Sequence, residues 1–569
     1  MESPIICDIL VVGGGATGMT AAAIASTFGL NTIVAEKQDT LGGTALLSGG
    51  TIWIPNNSLA KGNGVRDGFL LGQEYLKHAL KHTNEQEALS GAVMTSFLEN
   101  GPKMVSYLEA EGFRWHPRPS KFPDYQPFFP GGLSEGGPTL DPATFDAKLL
   151  GTWKQYLSIP KLSLRLTRFE EFRISSKPLA SPWDFLMVCG FMLRSLFLGL
   201  LYGSPVTMGC SLVAQLLHIC QRNRHVEIRT STSLVELLTE HDKVVGAVLE
   251  CGGTRTYVRA RCGVLLAAAG FAQNEQMRRE HLPRPTSTTW SLTRAGGDSG
   301  DVLMAAKAIG AKCCALQETW GIPTMTDPRT GLTTNALFEL ATPHGIVINK
   351  SGYRFANESQ PYGDFVHSMY ESKGGTVPAW PVVDSQYLRK YTLGSLKPWD
   401  RTESAVRCGR LVKAAALREL SEKLLLPRGN LERTIERWNT MCQVGDDLDF
   451  GRGSDAYQRF IGDASARPNP AMGSINKPPF FAIQIYPGDA GTKGGLVTDS
   501  CARVMRQDGK PIGGLYAAGN IAASLFGKTS LGAGVTIGPA MTFAFVAVHC
   551  MAKSASAPDC SARKQQTTM

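Results

Sequence analysis

Continuous apolar runs bounded by glycines mark both ends of this chain. Asp8-Ile9-Leu10-Val11-Val12 is apolar at every position after its aspartate, which predicts a strand covered on both faces. Residues 19–28 are small and apolar and predict a helix, and Thr32-Ile33-Val34-Ala35 predicts a second buried strand. Helical spacing returns over residues 67–114, with Leu70, Leu71, Tyr75, Leu76 and Leu80 in phase. Residues 226–229 and 244–249 read as strands of a small sheet, joined through the charged turn 240–243. Residues 264–269 form another buried run, ending in Gly270-Phe271. Gly296-Gly297-Asp298-Ser299-Gly300-Asp301 then caps a helix over 302–309 that stops at Gly310.

From about residue 318 the pattern is mixed. A strand is predicted over 346–349 and helices over 411–426 and 430–441. Near residue 486 glycine-rich, apolar sequence returns, and it closes on an apolar helix after Gly538-Pro539. The Ser/Ala/Lys/Gln-rich tail from Lys553 predicts disorder.

One run raises the question of a membrane. Residues 185–202 are strongly apolar, but Arg194 lies at the centre and Gly190 and Gly199 interrupt the run. That is a poor bilayer span. The expectation is a helix buried against the body. The alternative is a helix lying in a membrane surface beside the entrance for a lipophilic substrate.

The first two strands and the helix between them carry chemistry. Gly13 permits the tight turn, Gly15 lets backbone approach a pyrophosphate, and Gly18 lets helix and strand pack closely. Ala16 and Thr17 open the helix, whose N-terminal amides suit phosphates. Glu36 ends the second strand eighteen residues beyond Gly18, where it can accept hydrogen bonds from a ribose, with Lys37 beside it. Gly43-Thr44-Ala45 and Ser48-Gly49-Gly50 keep side chains away from a flat ring system. Ala269, Gly270, Gly519 and Asn520 end further apolar runs at the same kind of edge. Gly534, Thr536 and Ile537 open a second helix N-terminus that can face the electron-rich edge of a flavin.

Length and composition limit the alternatives. A chain of 569 residues implies two or three domains. The net charge of +9 is dispersed without a polybasic run, which argues against nucleic acid. Thirteen cysteines without CxxC pairs or a His/Cys cluster point to reduced thiols in an intracellular protein and to no metal site. Entry into the first strand by residue 8 leaves no room for a signal peptide.

As a set, GGGATG with Glu36, LGGTALLSGGTIWIPNN, PGDAGTKGGLVTD, and GLYAAGN followed by GAGVTIGPAMTF resemble the FAD-dependent 3-ketosteroid Δ1-dehydrogenases. These belong to the wider fumarate-reductase-type flavoproteins. The resemblance spans nearly the whole chain and is weakest over residues 150–205. It implies an α/β fold: a Rossmann-type FAD-binding domain (1–317 and 485–569) interrupted by an inserted α+β catalytic domain (318–484). It also implies non-covalent FAD, a hydrophobic steroid or terpenoid substrate, and an electron acceptor of unspecified kind. Localisation is then intracellular, soluble or peripheral to a membrane.

In that family a tyrosine base removes the C2 proton of a 3-ketosteroid and the C1 hydride goes to the flavin. A second tyrosine and a glycine amide polarise the keto oxygen. By resemblance, Asn357 to Tyr362 matches the base motif NExxPY and makes Tyr362 the base. Phe122 and Tyr125 match the assisting aromatic loop. A tyrosine with an ordinary pKa of about 10 needs such help to ionise. The keto-binding motif aligns with Ser530-Leu531-Gly532-Ala533-Gly534, so Gly534 keeps the amide while Ser530 replaces the tyrosine. A preorganised donor of that kind is worth about 3 kcal/mol. Water, Ser530, Thr529 or Lys528 then takes its place, a larger substrate sits differently, or the scaffold serves another oxidation.

Three other readings remain. A fumarate/succinate-type enzyme needs arginines for carboxylates, and Thr529-Ser530-Leu531 supplies none. A related flavoenzyme would act at another position, or as an ene-reductase or isomerase. A non-catalytic FAD-binding or membrane-associated partner would have no use for both Tyr125 and Tyr362.

Overall fold

A computed structural model describes residues 4–80, 91–117, 121–159, 165–327 and 330–556. Its largest sheet has eight strands. Along the main path they run Arg503–Met505, Pro511–Ala517, Lys243–Cys251, Thr254–Leu266, Ile5–Val12, Thr32–Ala35 and Val226–Arg229. Ile5–Val12 is parallel to both neighbours, with Ile9 opposite Thr32 and Leu10 opposite Val264. Alternate side chains leave a strand on opposite faces. Ile9, Val11 and Val34 therefore pack with Met19, Ile24, Leu212 and Phe543, while Leu10, Val12 and Ile33 pack with Phe271 and Leu303. Burial on both faces is why these strands read as unbroken apolar runs. Helices Ala16–Thr27, Met208–Asn223 and Ile537–Ser556 belong to the first of these layers.

A smaller antiparallel sheet runs Gly345–Ile348, Trp380–Asp384, Phe480–Ala482 and Val412–Ala414. The helix Asn430–Val444 covers it through Leu431, Ile435 and Trp438. Two antiparallel strands, Thr319–Thr326 and Tyr486–Thr492, pair from Thr319/Thr492 to Thr324/Tyr486. The chain between them therefore leaves and returns at one place.

Several local expectations change. Residues 226–229 and 244–249 do not form a small sheet of their own. Val226–Arg229 lies parallel to Thr32–Ala35 at one edge of the main sheet, and Ser233–Glu240 is the hairpin partner of Lys243–Cys251. Residues 411–426 are not one helix: Val412–Ala414 pairs with Phe480–Ala482 as an edge strand, and the helix spans Leu417–Lys423. Sheet pairing overrides helical spacing there. The final helix runs to Ser556, past the start of the predicted tail, and 557–569 lie outside the described residues. Between helices Phe69–Leu80 and Gly91–Ala110, residues 81–90 also lie outside them.

The apolar run near 185–202 becomes the helix Pro182–Leu201, capped by Ser181, whose hydroxyl accepts from the Asp184 amide. It is not buried against the body. Only Val188, Phe191, Ser195 and Leu198 face inward. Arg194 turns to the buried Glu171 in a two-pronged contact at 2.8 and 2.5 Å. With its charge paired on the inner side, the helix presents Leu186, Leu193, Leu196, Phe197, Leu200 and Leu201 outward. By length and composition it is apolar enough to cross a membrane.

Candidate active site

The site begins at the first turn. Gly13 has φ +108°, and a Cβ there would lie 2.6 Å from the Ala267 carbonyl oxygen. A Cβ on Gly18 would sit 1.8 Å from the Gly13 oxygen, so Gly18 secures helix-on-strand packing and does not line the cleft. Gly15 is different: a Cβ there would meet nothing, because its open side is the cleft. No side chain caps the helix that follows, and its first amides are left for a ligand. Glu36 accepts from the Gly14 amide at 2.6 Å and from the Gln38 amide at 2.8 Å. Burial lifts its carboxyl above the ordinary range, against those hydrogen bonds.

All the other residues expected to hold the cofactor line this one cleft, from Gly13 through Glu36, Lys37 and Gly50 to Asn520, Gly534 and Ile537. Tyr125 and Tyr362 line it too. Lys37 is committed to Ser299 at 2.7 Å and Asp301 at 2.9 Å. Sequence reasoning missed Asp298, Arg294, Ser233 and Phe169, which also line it. Asp298 was read as part of a helix cap, yet its Oδ1 is buried and unpartnered among the described residues. Burial first, and then the Asp489 charge, push its carboxyl up to about 7.

Tyr362 opens the helix Tyr362–Glu371 immediately after Pro361. The turn that delivers it is held from behind. Glu358 meets Arg354 at 2.7 Å and Arg452 at 3.2 Å, Arg354 also reaches Asp447 at 2.8 Å, and Asn357 donates to Gln458 at 3.0 Å. The loop of Tyr125 is pinned as firmly. Its amide donates to the Leu531 carbonyl at 3.0 Å, and buried Asp124 accepts from the Trp53 indole at 2.8 Å. The Tyr125 and Tyr362 rings stand edge to face, centroids 5.4 Å apart. Tyr457, which sequence reasoning also missed, approaches Tyr125 at 4.9 Å. Its phenol is raised well above 10, by burial and then by the neighbouring Tyr362, so it stays neutral.

Two expected contacts lie behind the cleft wall. Phe122 is buried between Phe460 and Phe169 and supports Tyr125 without lining the cleft. Ser530 is also buried outside the lining, its Oγ 3.5 Å from where a Gly363 Cβ would be. Gly534 does line it, at φ +98°, with its backbone so close to Ile52 that a Cβ would come within 2.6 Å.

The family described as an FAD binding domain matches residues 8–537. The chain is 36% identical to a 3-oxosteroid 1-dehydrogenase of Mycolicibacterium smegmatis, over 97% of this chain and 98% of that one. It belongs to the FAD-dependent 3-ketosteroid Δ1-dehydrogenase family. The dehydrogenase is also 32% identical to 4-oxocyclohexanecarboxylate 2-dehydrogenase of Sinomonas cyclohexanicum, over 97% of this chain and 94% of that one. Its fold matches the 3-ketosteroid Δ1-dehydrogenase of Sterolibacterium denitrificans, solved with 1,4-androstadiene-3,17-dione. The TM-score is 0.89 at 34% identity, over 96% of this chain and all of that one. The dehydrogenase is thus an FAD-dependent oxidoreductase acting on CH–CH groups. Its own cleft fits that cofactor, with uncapped helix amides and the open side of Gly15 at one end and the orphaned Asp298 oxygen to accept from a hydroxyl.

Proposed function

We propose that this enzyme converts a 3-keto steroid, or a steroid-like polycyclic terpenoid ketone, to the 1-ene. The observation that carries this reading is the Tyr125–Tyr362 pair at the wall of the nucleotide-lined cleft. FAD, when bound, supplies the hydride acceptor. Tyr362 takes the α-proton, and the Tyr125 phenol beside it favours its ionised form. Gly534 offers its amide to the keto oxygen, whose growing negative charge needs a preorganised donor. Residues 1–317 and 485–569 hold the cofactor, and 318–484 bring Tyr362 to the substrate.

The relatives named above act on a steroid ketone and on a single-ring ketone. What they share is dehydrogenation beside a carbonyl, and that is the coarse activity assigned here. Ser530 favours a second reading, in which the same tyrosines act at another ring position or run an alkene reduction or isomerisation. The exposed face of Pro182–Leu201 follows in sequence from Phe169, a cleft residue. We assign that face to peripheral contact with a lipid surface, from which an apolar ketone reaches the cleft.

Anaerobic addition of a 3-keto-4-ene steroid is expected to bleach the yellow protein and give the 1,4-diene. Well-folded yellow protein that no steroid or triterpenoid ketone bleaches overturns the reading.

A further inference from the structure

Among the described residues, the aromatic side chains that line the cleft are Tyr125, Tyr362 and Phe169. The two tyrosines carry the proposed chemistry. Phe169 has no acid, base or donor in its side chain, so what it offers a ligand is an apolar face. A steroid or terpenoid ketone is nearly all apolar surface, and beyond its carbonyl it is held by contact with such faces and by release of water.

The chain clears a place for this ring. A Cβ on Gly49 would lie 3.0 Å from Phe169 Cδ2 and 3.7 Å from Phe169 Cβ, so the side chain rests on bare backbone. Phe338 flanks it at 5.7 Å and Phe122 at 6.4 Å between ring centroids, and both stand outside the lining. Phe169 is half-buried, packed from behind by these rings and open on the cleft side. It shares one apolar cluster with Tyr125, Tyr362 and Ala533, the neighbour of Gly534. The ring is therefore at the tyrosine end of the cleft, away from Gly13 and Glu36.

The turn that presents Phe169 is fastened on both sides. The Thr167 amide and hydroxyl donate to Glu171 at 2.8 and 2.9 Å, which closes the turn around the ring. Glu171 also takes Arg194 from the apolar helix Pro182–Leu201. Further on, Arg173 donates to the Phe460 carbonyl at 3.1 Å, and buried Lys177 donates to the Ile461 carbonyl at 3.2 Å. Phe460 and Ile461 end the helix Ala456–Ile461, which also carries Tyr457. A ring locked in this way is a rigid wall, and a rigid apolar wall selects by shape.

We propose that Phe169 is a specificity-determining residue. Its ring is the apolar wall on which the ring system of the ketone lies while Tyr125 and Tyr362 work beside the carbonyl. A four-ring ketone covers this wall, and a single ring held at the tyrosines covers less of it. This rests on the function proposed above.

The test compares wild type with Phe169→Ala and Phe169→Trp, all loaded with FAD. Binding is read from the shift of the flavin visible band on adding a 3-keto-1,4-diene steroid. Turnover is read from anaerobic bleaching by a 3-keto-4-ene steroid and by a 4-substituted cyclohexanone. Phe169→Ala is expected to raise the diene Kd and the 4-ene KM by about tenfold to a hundredfold, the scale of one buried aromatic side chain, with little change in kcat. Phe169→Trp narrows the cleft and is expected to lower kcat/KM for the steroid by a similar factor. In both variants kcat/KM for the cyclohexanone falls less, so the steroid-to-cyclohexanone ratio drops by about tenfold or more. An unchanged ratio and diene Kd in Phe169→Ala overturn the inference. Loss of bound flavin from that variant with the ratio unchanged assigns the ring to the cofactor and overturns it too. Should the alanine variant fail to fold, Phe169→Trp decides alone. Wild type that binds the diene but is bleached by neither ketone overturns the proposed function, and the Kd series then decides the inference on its own. Wild type that does not bind the diene overturns both.

Discussion

Tyr125 and Tyr362 meet edge to face, with ring centroids 5.4 Å apart and planes at 75°. Tyr125 is fixed by the hydrogen bond its amide donates to the Leu531 carbonyl, and Tyr362 by the helix that begins on it. Both rings line the same cleft. Tyr457 completes the group but stays neutral because burial raises its phenol well above 10.

Tyr362→Phe is expected to lower the rate of anaerobic flavin bleaching by about a hundredfold to ten-thousandfold, the range for a lost general base. Tyr125→Phe lowers it less. Bound flavin, read from its visible spectrum, stays in both. An unchanged rate in Tyr362→Phe removes the base assignment.

Ser530→Tyr restores the phenol that the family's keto-binding motif carries at this position. Activity on simple 3-ketosteroids, measured as kcat/KM, is expected to rise by about tenfold to a hundredfold, the scale of one oxyanion donor. A fall on steroids with a rise on no other ketone means the serine makes room for the substrate.

Glu358→Gln breaks a buried cluster with Arg354 and Arg452, and the loss is expected to be about 3–5 kcal/mol in denaturant unfolding at neutral pH. Burial pushes the Glu358 carboxyl up, but Arg354 and Arg452 together outweigh it and hold the group below its usual range. A depressed carboxyl stabilises above its unfolded pKa of about 4.3 and loses that contribution as pH falls through the lower folded value. The gap between wild type and variant should therefore persist to about pH 4 and shrink below it. A gap that is constant into acid contradicts the cluster's role.

Leu196→Asp and Phe197→Asp replace side chains that are 69% and 59% exposed on the outward face of Pro182–Leu201. Each is expected to weaken co-sedimentation with phosphatidylcholine vesicles by about tenfold or more, since burying one such side chain is worth about 1.5–3 kcal/mol. Bleaching by a soluble ketone stays unchanged. Wild type that stays in the supernatant rules the lipid contact out.

Much of the cofactor side was legible because its requirements are local. Gly13 needs a positive φ, Gly18 needs contact with Gly13, and both show as glycines at a set spacing whatever surrounds them. The buried strands were legible for the same reason, since covering both faces leaves no polar alternation to confuse. The strand Val226–Arg229 was seen but its neighbours were not, because a four-residue run says nothing about which strand it will lie beside.

Asp298 and Tyr457 were not legible. Each looks ordinary in its own stretch and becomes distinctive only through burial beside residues from elsewhere. The same holds for the helix Pro182–Leu201: its composition favoured a helix buried against the body, with one lying in a membrane surface as the alternative, and the structure shows it largely exposed. The turn of Arg194 toward Glu171 decided which face points outward.

The sequence by itself determined the nucleotide turn and the α/β class, because backbone sterics and motif spacing act over a few residues; the two tyrosines, and the serine where a third would stand, were implied by the family resemblance. Only the tertiary structure decided that Phe122 and Ser530 lie behind the cleft wall and that Tyr457 stands beside Tyr125. Those relations depend on how distant segments pack, and the free energy that selects a packing is spread over the whole core.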